Sequence, residues 1–166
     1  MDQLKKTYNA NTLKLIAILA MTLDHIAWLC YPGYSRQALP LILHVIGRIT
    51  CPIMCYFVAE GYYYTRNINR YTARLFGFAV ISHFAYVYAS LGSSSAQSFL
   101  PFTSGSVFNQ TSVMWSLAWG LVMLRVAHSA RIRHGSTRVL LILLICVVSF
   151  PSDWRCLASL CILAFG

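Results

Sequence analysis

Several stretches of this 166-residue chain stay apolar for close to the ~20 residues that a helix needs to cross a bilayer. A chain this short has no interior large enough to bury so many such stretches in water. Hydrophobic residues make up 58% of it and charged residues 10%, against about 25% charge in a soluble domain. The mean hydropathy is +0.61. In lipid the backbone must satisfy its own hydrogen bonds, which leaves helices as the natural answer. The fold expected is all-α: a polytopic transmembrane helical bundle of five to six spans, forming one domain over residues 1–166. The first apolar run is long, and no A-x-A-like cleavage site follows it. It therefore reads as a retained span rather than a signal peptide.

The spans are expected at about Thr12–Tyr31, Leu39–Tyr63, Tyr71–Leu91, Ser112–Ala127 and Val139–Phe150. The fifth is short for a crossing and reads as tilted or re-entrant. A last apolar piece begins near Cys156 and stops at Gly166, roughly half a span later. That abrupt end reads as a truncated product or a chain that once continued. Pro32-Gly33 marks a turn, and "GSSSAQSFLPFTSGSVFNQT", residues 92–111, an uncharged loop. With the N-terminus inside, Lys5, Lys6, Lys14, the arginines of 66–74 and those of 125–138 all fall at the inner face. Arg36 and Arg155 alone lie outside, with Arg48 buried, so the positive-inside rule favours this orientation.

The net charge of +9 raises nucleic acid as a partner. Its distribution excludes that, because the basic residues flank apolar runs and no polar domain interleaves them with aromatics. The six cysteines lie mostly inside apolar runs. Cys51 and Cys55 are a helical turn apart, but without Cys or His partners at zinc spacing they read as small packing residues, and no metal is expected.

Ionisable residues inside a span cost about 2.5–3.5 kcal/mol each on insertion scales and call for a pairing or functional reason. At about 1.5 Å per residue, Asp24 and His25 lie about 10 Å below the outer end of the first span. Arg48 lies about 13 Å down the second and His83 about 12 Å down the third. His44 shares a helical face with Arg48 at i, i+4 and sits nearer the outer surface. Asp153, in an outer turn, is placed to cap this cluster. An Asp24–Arg48 ion pair that locks two spans together is the structural reading. Histidines at matching depth favour a functional one, in which a carboxylate orients an imidazole as general base or itself acts as the base. Arg48 is then placed to hold a developing oxyanion or an anionic substrate group.

At the inner face, "EGYYYTRNINRYTAR" sets Glu60 beside Arg66, Arg70 and Arg74, spaced by four. It reads as a cationic anchor on anionic lipid, or as a phosphate-binding rim for a nucleotide-like cofactor. Tyr62, Tyr63 and Tyr64 suit an interfacial aromatic belt.

"LKLIAILAMTLDHIAWL", "IGRITCPIMCYFVAEGYYYTRN" and "RYTARLFGFAVISHFAYVYA" together resemble the TraX family of conjugation-associated inner-membrane proteins. The positions that carry the resemblance are Asp24-His25, Gly47-Arg48, Pro52, Glu60-Gly61 and Arg66-Asn67, with weaker echoes at Asn109 and Asp153. It is clear over residues 12–91 and thin beyond them. The resemblance implies a multi-pass protein of the bacterial inner membrane that acetylates the N-terminus of conjugative pilin, or another membrane-associated acceptor, from acetyl-CoA. On that reading His25, tuned by Asp24, deprotonates the amine and Arg48 stabilises the tetrahedral oxyanion. Glu60, Arg66, Asn67 and Arg70 help hold the CoA end. His83 is a candidate from the residues alone. Acetyl-CoA is cytoplasmic and the cluster lies in the outer half, so the implied bundle has a polar interior joining the two. Two other functions fit the same residues: a small proton-coupled transporter, which would use them as a proton relay, and a non-enzymatic pilin assembly factor, in which they serve folding alone.

Overall fold

The computed structural model describes residues 10–31, 38–91 and 111–166, and every regular element within them is an α-helix. In chain order these are α1 (Ala10–Cys30), α2 (Ala38–Arg48), α3 (Thr50–Tyr64), α4 (Ile68–Leu91), α5 (Val113–Ala127), α6 (Gly135–Ser149) and α7 (Arg155–Phe165). The all-α expectation holds. Two segments among the described residues are long and apolar enough to cross a bilayer, Ala10–Ala27 and Ala38–Tyr64. Helices α5, α6 and α7 are apolar but shorter.

The stretch expected as one span over Leu39–Tyr63 is two helices, interrupted at Ile49. Pro52 explains the break. It has no N–H to offer Arg48, four residues back, and its ring crowds that carbonyl. The backbone tightens there instead, with Ile49 N–H donating to Ile46 O at 3.2 Å. The α3–α4 turn is set by Asn67, whose Oδ1 accepts from Arg70 N–H at 3.1 Å. That is an N-cap on the first turn of α4.

Residue contacts divide the chain into two compact units, Met1–Met54 and Cys55–Gly166. In the first, α1 lies against α2. The buried residues of α1 are Ala17, Ala20 and Ala27, while Leu15, Leu19, Leu23 and Ile26 are exposed. Helix α2 likewise buries Pro40 and Gly47 and exposes Leu39, Leu41, Ile42 and Val45. Small residues face inward and large aliphatic ones outward. That is the pattern of helices packing in lipid, where small residues let backbones approach and the outer surface need not be polar. Thr50 Oγ1, at the start of α3, donates to Ala17 O of α1 at 3.0 Å.

In the second unit α5 is central, in contact with α4, α6 and α7. It is buried on several sides, through Ser116, Leu117, Ala118, Gly120, Leu121, Met123 and Leu124. Phe76 of α4 meets Trp115 and Trp119 edge-on at 6.0 and 5.5 Å, and Trp115 Nε1 donates to Val148 O of α6 at 3.0 Å. The α5–α7 contact is closest. Ser159 Oγ donates to Ser116 O at 2.7 Å, and a Cβ added to Gly120 would sit 2.5 Å from Ile162 Cδ1 and 3.0 Å from Ser159 Cα. Ser116 and Gly120 thus form a small-xxx-small pair under α7. At the far end of α5, Asp153 N–H donates to Thr111 O at 3.0 Å, and Cys55 Sγ caps the α7 carbonyl of Ala158 at 3.4 Å.

These contacts separate two glycines. Gly120→Ala should destabilise the chain by about 1–3 kcal/mol, because the new methyl meets backbone on α7. Gly77, with nothing within 4 Å of an added Cβ, should accept alanine with a gain of about 0.5–1 kcal/mol. Equilibrium unfolding in mixed detergent micelles distinguishes the two signs.

Candidate functional site

The inward stripe of α1 runs Ala17, Ala20, half-buried Asp24 and Ala27, in steps of three and four. It brings an aspartate into a row of alanines. On α2 the facing row is Pro40, His44, Gly47. The two rows meet at Asp24 and His44, whose Oδ1 and Nδ1 are 2.6 Å apart. The side chains are 24% and 12% exposed respectively, so both are largely withdrawn from their surroundings. Gly47 makes the approach possible. A Cβ there would lie 2.4 Å from Asp24 Cβ and 2.6 Å from its Cγ, so any side chain at 47 displaces the carboxylate.

With Asp24 on Nδ1, a neutral His44 carries its proton on that nitrogen and has Nε2, a buried atom, as the basic one. If His44 is protonated, the pair becomes a charge-assisted ion pair. Either state gives an imidazole fixed in rotamer and tautomer by a carboxylate.

The expected partnership of Asp24 with His25 does not form. Neighbours in a helix point about 100° apart and do not face each other. His25 is exposed, and its Nδ1 hydrogen-bonds Met21 O at 2.7 Å, one turn back on its own helix. Arg48 follows Gly47, which lies against Asp24, and so is near its level on α2, but it is exposed. His83 belongs to the second unit. It is buried, with Nδ1 3.1 Å from Thr111 Oγ1 and its ring edge-on to Phe84. Asp153 is exposed and makes its bond to Thr111 through the backbone. Asn109 lies outside the described residues.

At the other end of the second unit, Glu60 is half-buried on α3, and Arg66 and Arg70 are exposed around the α3–α4 turn. Asn67 has a structural occupation as the α4 N-cap. Gly61 admits the Tyr71 ring, whose hydroxyl would lie 2.8 Å from an added Cβ. Beside this turn is an open groove of about 410 Å³ lined by Tyr62, Tyr63, Ile68, Arg125, His128 and Ser129. Arg125 donates to Asn69 Oδ1 at 2.8 Å and Thr72 Oγ1 at 3.2 Å. The sequence counts Arg125 only as an inner-face charge and offers nothing that singles out His128. Among the described residues no group of three or more His, Cys, Asp or Glu converges.

A family model described as TraX protein matches residues 9–164. Similar known proteins include the probable fimbrial assembly protein FimC, serogroup H1, of Dichelobacter nodosus. It is 43% identical over 75 residues, which are 45% of this chain and 30% of that protein. An uncharacterized protein of Rickettsia prowazekii (strain Madrid E) is 38% identical over 58 residues, 35% of this chain and 21% of that protein. The match thus spans less than a third of the length of either relative. No solved structure matches the chain.

The Asp24 contact predicts an asymmetry between the two histidines. His44→Ala strips a largely buried carboxylate of its partner and should destabilise by about 1–3 kcal/mol. His25→Ala, at an exposed position, should stay within about 0.5 kcal/mol of wild type. Chemical unfolding of the two variants in micelles reads the difference.

Proposed function

The chain belongs to the TraX family, whose model covers nearly its whole length, and from that premise we propose that it is a membrane N-acetyltransferase acting on the N-terminus of a pilin. It works in the bacterial inner membrane as a multi-pass protein of five to six spans with the N-terminus inside. The kinship with a probable fimbrial assembly protein of Dichelobacter nodosus supports a place in the assembly of surface filaments.

The observation that carries the chemistry is the Asp24–His44 pair. N-acetylation needs a base that removes a proton from the attacking amine. An imidazole held on Nδ1 by a carboxylate is such a base, since the carboxylate both fixes the tautomer and stabilises the imidazolium that forms. The pilin amine attacks the thioester carbonyl of acetyl-CoA, and His44 Nε2 accepts the amine proton as the C–N bond forms. The tetrahedral oxyanion collapses, the C–S bond breaks, and the CoA thiolate leaves and takes up a proton. Arg48, near the level of Asp24, is the cation for the oxyanion. Glu60, Arg66 and Arg70 serve the CoA end, with Asn67 shaping the turn that carries the two arginines. His44 therefore takes the role that the sequence assigns to His25.

A purely structural assembly factor is the competing reading, and the name of the same relative is what favours it. Intact-mass measurement of pilin from cells carrying inserted variants separates the two. His44→Gln and Asp24→Asn should lower acetylation by about 10²–10⁴-fold, the usual contribution of a general base. His25→Ala should leave it near wild type. Acetylated pilin at wild-type levels from a stably inserted His44→Gln protein would sink the catalytic reading. Filament assembly that needs the chain while acetylation is unchanged by its removal would point to the structural one.

A further inference from the structure

We propose that the groove between the ends of α3 and α5 and the start of α4 binds a phosphate ester. The charge around it is one-sided. Residues 60–74 carry three arginines and residues 125–138 carry four, against a single acid, Glu60. The contacts Arg125–Asn69 and Tyr62–His128 place the two segments at one end of the same unit.

Arg125 is the centre of the site. It is half-buried, and its two hydrogen bonds go to neutral acceptors, Thr72 Oγ1 and Asn69 Oδ1. These fix the planar fork without neutralising its charge, and three of its five N–H donors are left for a ligand. His128 is held in the same way. Its Nδ1 hydrogen-bonds Leu124 O at 3.1 Å, so Nε2 is the nitrogen that a phosphate oxygen would meet, as a donor once the ring is protonated. The ring lies 5.8 Å from that of Tyr62 and 6.2 Å from that of Tyr63, which sets aromatic surface beside the cations. The bond to Leu124 O also covers one of the carbonyls at the C-terminus of α5 that would repel an anion.

A cation held rigid by neutral partners, a second imidazole donor and flanking rings suit a phosphate attached to an organic group better than a bare ion. The shared chemistry has two sources, the headgroup of an anionic phospholipid or a soluble nucleotide-type phosphate. The proposal stands whether or not the chain transfers acetyl groups, because its readout is phosphate binding alone.

The test uses the full chain in phosphatidylcholine nanodiscs. One arm titrates adenosine 3′,5′-bisphosphate by calorimetry. The other adds phosphatidylglycerol to the discs and measures the lipid retained on the protein by native mass spectrometry. Binding in either arm supports the site and identifies its source, provided that Arg125→Gln and His128→Gln each weaken it by about tenfold or more, as expected for loss of a charge-assisted hydrogen bond. Arg133→Gln, which removes the same charge from an exposed position outside the groove, should weaken it less than about twofold. Should Arg125→Gln fail to fold, His128→Gln decides. Binding in neither arm, or equal weakening by Arg133→Gln, overturns the proposal.

Discussion

Helices surrounded by acyl chains gain little by hiding apolar surface from one another, because lipid tails are as apolar as leucine. What holds them together is close approach, and close approach requires small residues. The first unit follows this rule, and small residues make both of the tightest contacts in the structure. In the first unit a row of alanines on α1 meets a row containing Gly47 on α2. In the second, Ser116 and Gly120 lie under Ser159 and Ile162. In the first unit the large aliphatic residues, which would form the core of a soluble protein, are turned outward. The polar groups caught between the helices then find partners at short range, as Thr50 does with Ala17 and Ser159 with Ser116.

The candidate site is a by-product of that packing. Asp24 occupies a position that its neighbours in the stripe fill with alanine, and it fits because Gly47 has no side chain. The same approach that makes room for the carboxylate carries His44 onto it. An ionisable pair in such a place is costly to assemble from isolated parts. Here one interface supplies the fit, the shielding and the partner together.

Much of this was legible from sequence, but unevenly. Helical class and the clustering of arginines at helix ends follow from composition and charge, since lipid permits few alternatives. Position along the α1–α2 pair was legible too, because each residue adds a fixed rise, and Gly47, next to Arg48, lies against Asp24. Rotation about the axis decides which side chains meet, and there the reading of Asp24-His25 as a working unit fails. Adjacent residues diverge on a helix, whereas the spacing 17, 20, 24, 27 against 40, 44, 47 defines two faces that meet. A small-residue stripe would have pointed to His44. The interruption at Ile49 was signalled by Pro52 but hidden by the unbroken hydropathy around it. Arg125 and His128 had no local signature, because their setting is made by contacts across more than fifty residues of chain, as with Asn69 and Arg125.

The fit between Asp24 and Gly47 also constrains how this sequence can change over evolutionary time. A lineage that keeps an acidic side chain at 24 has no viable single step at 47, since even a methyl collides with the carboxylate's own Cβ. Once 24 shortens to glycine, the three atoms nearest to a methyl at 47 are gone. The two positions, more than twenty residues apart, therefore drift as a pair, and the order of events is fixed: the aspartate must go before the glycine can.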